Sequence, residues 1–259
     1  MTSTNDIRVE REPPITTVTL DRPDKRNAVT SAMWVALPEI VAGIRRDPAT
    51  KVALLTGAGD VAFSAGADIA EMRSNFENPE RMRVMQHAVQ AAQEEWAQLP
   101  IPTIAVIRGA CAGGGCGLAL ACDLRIAAAD AFFSVPPARL GICYSLADSR
   151  RLVDLVGPSR AKDILFTGRR VDSAEALAMG LVNEIVPAAE LLQRAHEIAA
   201  CIAGNAGNSV RAAKKVVNAI MDGVRAETPE TRRLYDESFA SPEFTEAAHA
   251  FVEKRPPRF

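Results

Sequence analysis

The segment Arg108–Asp123, reading RGACAGGGCGLALACD, constrains the fold of this chain more than any other stretch. A run suited to a strand, Thr103–Ile107, leads through a short link into three consecutive glycines, and these open onto the apolar helical stretch Leu118–Ala121. Glycine is used where backbone turns sharply or approaches a ligand closely. The first turn of a helix carries N–H groups without intrahelical acceptors, and the positive end of the helix dipole lies behind them. Such a turn can hold an anion, or an oxyanion that forms during a reaction, with backbone alone.

The stretch Phe63–Met72 (FSAGADIAEM) repeats the design. The strand-like Val52–Thr56 precedes it, and the small residues Ser64, Ala65, Gly66 and Ala67 lead into Asp68 and a helical pattern. Taken singly, each stretch is also what an ordinary tight strand-to-helix turn looks like, because isolated glycine-rich turns are weak signals. Two of them in one chain can each direct one N–H at a single carbonyl oxygen. That is the arrangement of an oxyanion hole, often the largest electrostatic contribution to catalysis.

The rest of the chain reads as an α/β protein. Ile15–Leu20 alternates and is rich in β-branched residues, as strands are. A helix capped by Ser31 runs to about Arg46, where Asp47-Pro48 stops it; another opens at Asn78-Pro79 and runs from Glu80 to Gln98. Strands are expected at Leu124–Ala128 and Ala131–Ser134, and a helix from about Asp148 toward Val156. Beyond Pro187 only helices are expected: Ala188–Ala203, Ser209–Met221, Thr228–Phe239 and Glu243–Glu253. Repeated strand-strand-helix units fit a spiral core with right-handed crossovers over residues 1–190, followed by a helical region over 191–259.

Composition excludes several classes of function. The 259 residues are 48% hydrophobic and 24% charged, enough for a sizeable core. The net charge of −2, scattered basic residues and few aromatics give no case for nucleic acid. The cysteines (111, 116, 122, 143 and 201) lack metal-ligand or redox spacing, so they are expected to be reduced and mostly buried, with no metal site. Met1–Glu12 has no apolar signal core, and no apolar run is long enough to span a bilayer. A cytoplasmic protein without membrane partners is expected.

Together, and in this order, these blocks resemble the crotonase (enoyl-CoA hydratase/isomerase) superfamily. The resemblance covers nearly the whole chain: Ile15–Leu20 with Arg22-Pro23 and Asn27-Ala28, FSAGADIAEM, GACAGGGCGLALACD, Phe133-Ser134 to Leu140-Gly141, Phe166–Gly168, Ala178–Val182 and Phe251–Arg255. It implies a crotonase-like (ClpP/crotonase) spiral of ββα units with a C-terminal helical extension. It also implies an acyl-CoA substrate with no other cofactor, and a homotrimer or dimer of trimers assembled through the helical region. The oxyanion-hole N–H groups would belong to Ala67 and Gly114, with Gly113 beside them. Coenzyme A would lie against Lys25, Arg26 and Ala28 and against Ala65, Asp68 and Ile69, and Phe251 and Lys254 would cover a neighbouring subunit's pocket. Hydratases of the family often carry a lysine where Ala70 stands, so one phosphate contact is expected to be missing.

The resemblance breaks at the proton-transferring groups. Hydratases of the family carry glutamates at the positions of Gly117 and Pro137, and neither residue here can move a proton. Each such role typically contributes about 10²–10⁴-fold. Locally, FSVPPARLGICYSL is similar to methylmalonyl-CoA decarboxylases, which carry a tyrosine where Tyr144 stands but a histidine in place of Ala67. Tyr144 is the candidate for orienting a malonyl-type carboxylate or supplying a proton; a structural tyrosine is the alternative. Asp148 is a second candidate, with the start of a helix as its structural explanation. Arg139 is a weaker candidate for pairing with a substrate carboxylate, and Glu94, Glu95 and His87 are weaker still. Decarboxylation of a 2-carboxyacyl-CoA needs orientation and enolate stabilisation but no base. The reading is a lyase of that type, with a hydratase using a relocated residue, or an acyl-CoA binder without catalysis, as alternatives.

Overall fold

The computed structural model describes residues 6–73 and 78–259. Residues 1–5 of the N-terminal stretch discussed above lie outside the described residues. Strands β1 (Ile7–Glu12), β2 (Ile15–Leu20), β3 (Val52–Gly57), β5 (Thr103–Ile107), β7 (Leu124–Ala128) and β10 (Glu184–Val186) form one sheet in the order β1-β2-β3-β5-β7-β10. The β1–β2 pair is antiparallel and the remaining neighbours are parallel. Strands β4 (Ala62–Ser64), β6 (Ala110–Ala112), β8 (Phe132–Ser134) and β9 (Arg170–Asp172) form a smaller sheet in that order.

The two sheets explain the spiral. Strands β3, β5 and β7 each lie in the large sheet, and the strand that follows each of them, β4, β6 and β8, lies in the small one. A helix or helix pair then returns the chain: α2 (Ile69–Arg73) and α3 (Pro79–Ala97), then α4 (Gly114–Ala121), then α5 (Leu146–Thr167), which is broken at Gly157-Pro158. The junctions from the small sheet to α2 and α4 are therefore stacked side by side. Helix α1 (Ser31–Arg45) packs mainly against α3, and α6 (Ser173–Ala178) closes the small sheet.

Side chains alternate along the large-sheet strands, as the period of two requires. Val52 and Leu54, Ile104 and Val106, and Ile126 and Ala128 point to one face. Ala53 and Leu55, Ala105 and Ile107, and Ala127 point to the other, toward α1, α3 and α4. The first face is covered by α7 (Leu191–Ala203), whose Leu191, Ala195, Ala199 and Ala203 recur every fourth residue. The division at residue 190 assigns α7 to the helical region, yet α7 packs as a layer on the sheet. Helices α8 (Gly207–Met221), α9 (Pro229–Phe239) and α10 (Pro242–Glu253) follow and contribute little to the core: of their residues only Ala250 is buried.

Two details differ from expectation. The α1 cap is Thr30, whose hydroxyl accepts from Met33 N–H, and Ser31 is the first helical residue. The strand β1 was not legible because its core-facing residue, Ile7, is followed mainly by charged side chains: at a sheet edge most positions face solvent. Among the described residues no helix is long and apolar enough to cross a membrane.

Candidate active site

The first turn, after β4, is braced by side chains from the segment following β2. Buried Asn27 donates to the carbonyls of Ala58 and Ala62 at 2.9 and 2.7 Å and accepts from Arg22 N–H. Ser64 Oγ donates to Asn27 O at 2.8 Å and accepts from Gly66 N–H. Backbone hydrogen bonds from Ala65 to Arg26, Val29 to Gly66 and Asp68 to Val29 zip residues 26–29 against 65–68. The candidate coenzyme A contacts on both segments, Lys25, Arg26 and Ala28 with Ala65, Asp68 and Ile69, therefore lie side by side. Lys25, Arg26, Ala65 and Ile69 are exposed, and Ala28 is buried.

The Asp68 carboxylate is already engaged. It accepts from Arg22 Nη1 at 2.9 Å and from the N–H groups of Ala70 and Glu71, which opens α2. The Arg22 guanidinium is the main reason that its carboxyl is held below the usual carboxylate range. The Asp68 side chain fixes the turn to Arg22, which also donates to Ala28 O.

The second turn, after β6, is braced by close backbone contact. Gly113 adopts φ +51° and ψ −121°, a conformation open to glycine, and its N–H donates to Ser134 O on β8. A methyl on Gly115 would lie 2.6 Å from Ser64 Cβ, and one on Gly66 (φ +91°) would lie 2.8 Å from Ala112 O. The two turns thus touch through glycines. Neither Ala67 N–H nor Gly114 N–H donates to a backbone or side-chain acceptor among the described residues. A substituent position on Gly114 lies 3.8 Å from Ala67 N, so the two free donors are neighbours. The other end of α4 is neutralised by buried Arg125, which donates to Cys122 O at 2.7 Å and Leu181 O at 2.8 Å.

The wall beyond Gly114 carries the titratable groups. Tyr144 is half-buried, with its hydroxyl 3.5 Å from Gly113 O, a long contact that leaves it beside the glycine turn. Desolvation pushes the phenol well above its ordinary range, and the nearby Cys116 and Asp148 add to this, so it stays protonated. Asp148 is the third residue of α5, and its side chain is only 5% exposed. Its carboxylate accepts from Ser145 Oγ at 2.9 Å and faces Arg151 at 3.5 Å; burial raises its carboxyl pKa, against the effects of both partners.

Sequence reasoning missed Gln93 on α3. The resemblance asks for a glutamate at position 117, and a methyl placed there would meet a terminal atom of the Gln93 amide at 2.0 Å and Asp148 Oδ1 at 3.2 Å. With Nε2 turned toward Gly114 O, at 3.4 Å, the Gln93 oxygen would face Asp148, acceptor against acceptor. Exchanging the amide ends places the NH₂ at 3.3 and 3.1 Å from the two Asp148 oxygens, and we assign it so because amide ends are fixed by their partners. The signal in the sequence was the glycine itself: a bare position facing a site raises the question of which side chain fills its space. Trp34 was also missed. Its ring packs against Gly114, with Cζ2 3.1 Å from a substituent position there.

Other candidates are engaged elsewhere or, as Glu94 is through Arg151, at the edge of this cluster. Arg139 donates to Thr167 O and packs on Gly168, so its head group is held at the end of α5. Glu94 pairs with Arg151 at 2.6 Å, and Glu95 with Arg45 at 2.9 Å. Pro137 is buried at the start of a short helical turn, Pro137–Leu140. Phe251 is exposed on α10, and Lys254 ends that helix with φ +53°. Cys111, Cys116 and Cys122 are buried, with the Cys122 thiol pushed up to about 12 by burial, while Cys143 and Cys201 are exposed.

Residues 10–259 match the family model described as enoyl-CoA hydratase/isomerase. The short-chain-enoyl-CoA hydratase of Clostridium acetobutylicum is 34% identical over 253 residues, covering 97% of this chain and 96% of that protein. The crotonyl-CoA hydratase of Syntrophomonas wolfei is 33% identical over 259 residues, covering 98% and 97%. Among solved structures, an enoyl-CoA hydratase/isomerase family protein from Hyphomonas neptunium superposes with a TM-score of 0.95 at 38% identity, covering 98% of this chain and 97% of that one. The enoyl-CoA hydratase of Bacillus anthracis gives 0.89 at 35% identity, covering 98% of both.

Proposed function

Since the chain belongs to the enoyl-CoA hydratase/isomerase family of crotonase-fold proteins, we propose that it is an acyl-CoA lyase acting through a thioester enolate, and that its reaction is decarboxylation of a 2-carboxyacyl-CoA. The observation that carries the finer reading is the Gly117 position. Its side-chain space is filled by Gln93, and the protonatable group left beside the turns is the Tyr144 phenol.

The chemistry follows from that inventory. The thioester oxygen takes the Ala67 and Gly114 N–H groups. The bond from the α-carbon to the carboxylate breaks, its electron pair forms the enolate, and CO₂ departs. Negative charge moves onto the thioester oxygen, where oriented N–H donors stabilise it most. Tyr144, whose raised pKa keeps it protonated, then delivers a proton to the α-carbon and recovers one from solvent. No base is consumed. Coenzyme A lies along the two zipped segments, with Lys25 and Arg26 toward its phosphates. The site is completed in a trimer or hexamer, in which Phe251 and Lys254 of one subunit cover the pocket of the next.

A second reading is favoured by Asp148 Oδ1, which lies 3.2 Å from where a residue 117 side chain would begin. Enoyl-CoA hydration, the activity named for the Clostridium relative, would then use Asp148 to activate water. Incubating the protein with methylmalonyl-, ethylmalonyl- and crotonyl-CoA and weighing the thioesters separates the two. Loss of the mass of CO₂ from a malonyl-type substrate is expected. Addition of water to crotonyl-CoA at a rate well above background would overturn the decarboxylase reading. Tight binding without turnover of any thioester would leave an acyl-CoA binder.

A further inference from the structure

Gln93 is an uncharged polar side chain with only 2% of its surface exposed, on the helix that also carries the weaker candidates His87, Glu94 and Glu95. Its amide lies between three things: the bare Gly117, the Gly114 carbonyl and the Asp148 carboxylate. We propose that Gln93 is a specificity-determining positioning residue. Its amide occupies the space that a proton-transferring side chain on residue 117 requires and holds Asp148 sealed behind it, so the acyl end of the site accepts only thioesters whose reaction needs no activated water. The inference rests on the enolate-forming site proposed above and assigns what narrows its substrates to 2-carboxyacyl thioesters.

Geometry makes the occupancy exclusive. With 2.0 Å between the amide and the first side-chain carbon, a residue larger than glycine at 117 and the present rotamer of Gln93 cannot coexist. Gln93 is buried, and its NH₂ donates to both Asp148 oxygens, so leaving the space costs those contacts. Since Gln93 and Asp148 are both sealed, neither is expected to touch the substrate. They act on it through what they keep out.

The test is a double-mutant cycle on residues 93 and 117, with two readouts. Gly117→Ala in the middle of a helix ordinarily raises stability. Here it is expected to lower the Tm in the wild-type background and to raise it in the Gln93→Ala background, a reversal of sign. The second readout is hydration of crotonyl-CoA. Gly117→Glu alone is expected to show none, whereas Gln93→Ala/Gly117→Glu should hydrate at least about tenfold faster than either single variant, a modest share of the usual general acid–base contribution. Isothermal titration with butyryl-CoA checks that each variant still binds a thioester.

An unchanged sign for Gly117→Ala across the two backgrounds would overturn the occupancy. Butyryl-CoA binding at wild-type strength in the double variant without gain in hydration would overturn the specificity role. If Gly117→Glu variants fail to fold, the alanine cycle still decides the occupancy, and hydration by Gln93→Ala/Gly117→Ala, with Asp148 uncovered, decides the specificity: no water addition there counts against it. The decarboxylation reading is judged separately, on the wild-type protein with malonyl-type thioesters. Each can therefore fail without the other.

Discussion

The site has two walls built by opposite means. On one, the turns carrying Ala67 and Gly114 are fixed by backbone contact and a dense set of hydrogen bonds: Asn27, Ser64, Arg22 and Asp68 on one turn, Gly113 and Gly115 on the other. On the other wall, Tyr144, Asp148 and Gln93 come from a loop and two helices, and their contacts run from 2.9 to 3.5 Å. On the reading proposed above, the first wall offers donors that any thioester can use and the second decides which reaction the enolate enters. A fold that keeps the first rigid can exchange the second residue by residue, and Gly117, facing Gln93 and Asp148, stands at such a position.

The largest effect should come from breaking the rigid wall. Gly115→Val would drive side-chain atoms into Ser64, whose Cβ and carbonyl lie 2.6 and 2.9 Å from the new Cβ. Overpacking of this kind costs about 1–3 kcal/mol or more. Because the shift moves both free N–H groups, turnover should fall by about 10²–10³-fold. Thermal unfolding and steady-state rates measure the two losses. Stability lost with full turnover retained would mean that the two turns do not act as one unit.

Next is the other wall. Tyr144→Phe keeps the ring and removes the proton, so turnover should drop by about 10²–10⁴-fold. Affinity for butyryl-CoA should stay within twofold and the Tm within a few degrees, because the hydroxyl's only hydrogen bond among the described residues, to Gly113 O, is long. A drop in binding equal to the drop in rate would make Tyr144 a structural tyrosine and return the chemistry to Asp148.

The same contrast explains how much could be read from sequence. The rigid wall is local: strand, small residues and helix start follow one another in the chain, so Phe63–Met72 and Arg108–Asp123 announce it. Strands β2, β5 and β7 match the expected Ile15–Leu20, Thr103–Ile107 and Leu124–Ala128 because alternation and β-branching set their limits. The second wall is non-local. Nothing in the string around Gln93 (VQAAQEEWAQ) shows that it fills the space over Gly117, which follows only once α3 is laid across α4. Arg22 was legible as part of a motif, but its pairing with Asp68 joins residues 46 positions apart.

A smaller effect tests the bracing of the first turn by pH. Arg22 lowers the Asp68 carboxyl below its ordinary 3.8. A lowered folded value means that stabilisation is complete above the unfolded pKa and lost as pH falls through the folded one. Asp68→Asn should therefore cost about 1.5–3 kcal/mol at neutral pH, the range for a hydrogen bond to a charged group. Its unfolding curve should start to approach the wild type as the pH falls below 3.8 and converge with it only below the lowered folded value. A constant gap down to pH 2 would show that the loss is packing and that the ion pair contributes nothing.

Asp148 should behave in the opposite sense, and with the smallest amplitude. Its carboxyl is raised by burial, so the charged form costs the folded state free energy above the unfolded pKa, and that cost disappears as the pH falls below 3.8. Asp148→Asn removes the charge while its amide can still accept from Ser145 and Gln93, and Arg151 keeps Glu94 at 2.6 Å. The variant should be as stable as the wild type or more so at pH 7, by up to about 1 kcal/mol, within the range usual for a single stabilising substitution. The gain should vanish in acid, the mirror image of Asp68→Asn. Denaturant titrations at pH 7 and pH 3.5 on both variants give the two slopes side by side. Opposite slopes would mean that the charge on the rigid wall holds the fold together while the charge on the other is a strain the fold carries. Parallel slopes would mean that both carboxylates are ordinary ion-pair partners and that Asp148 has no claim on the chemistry.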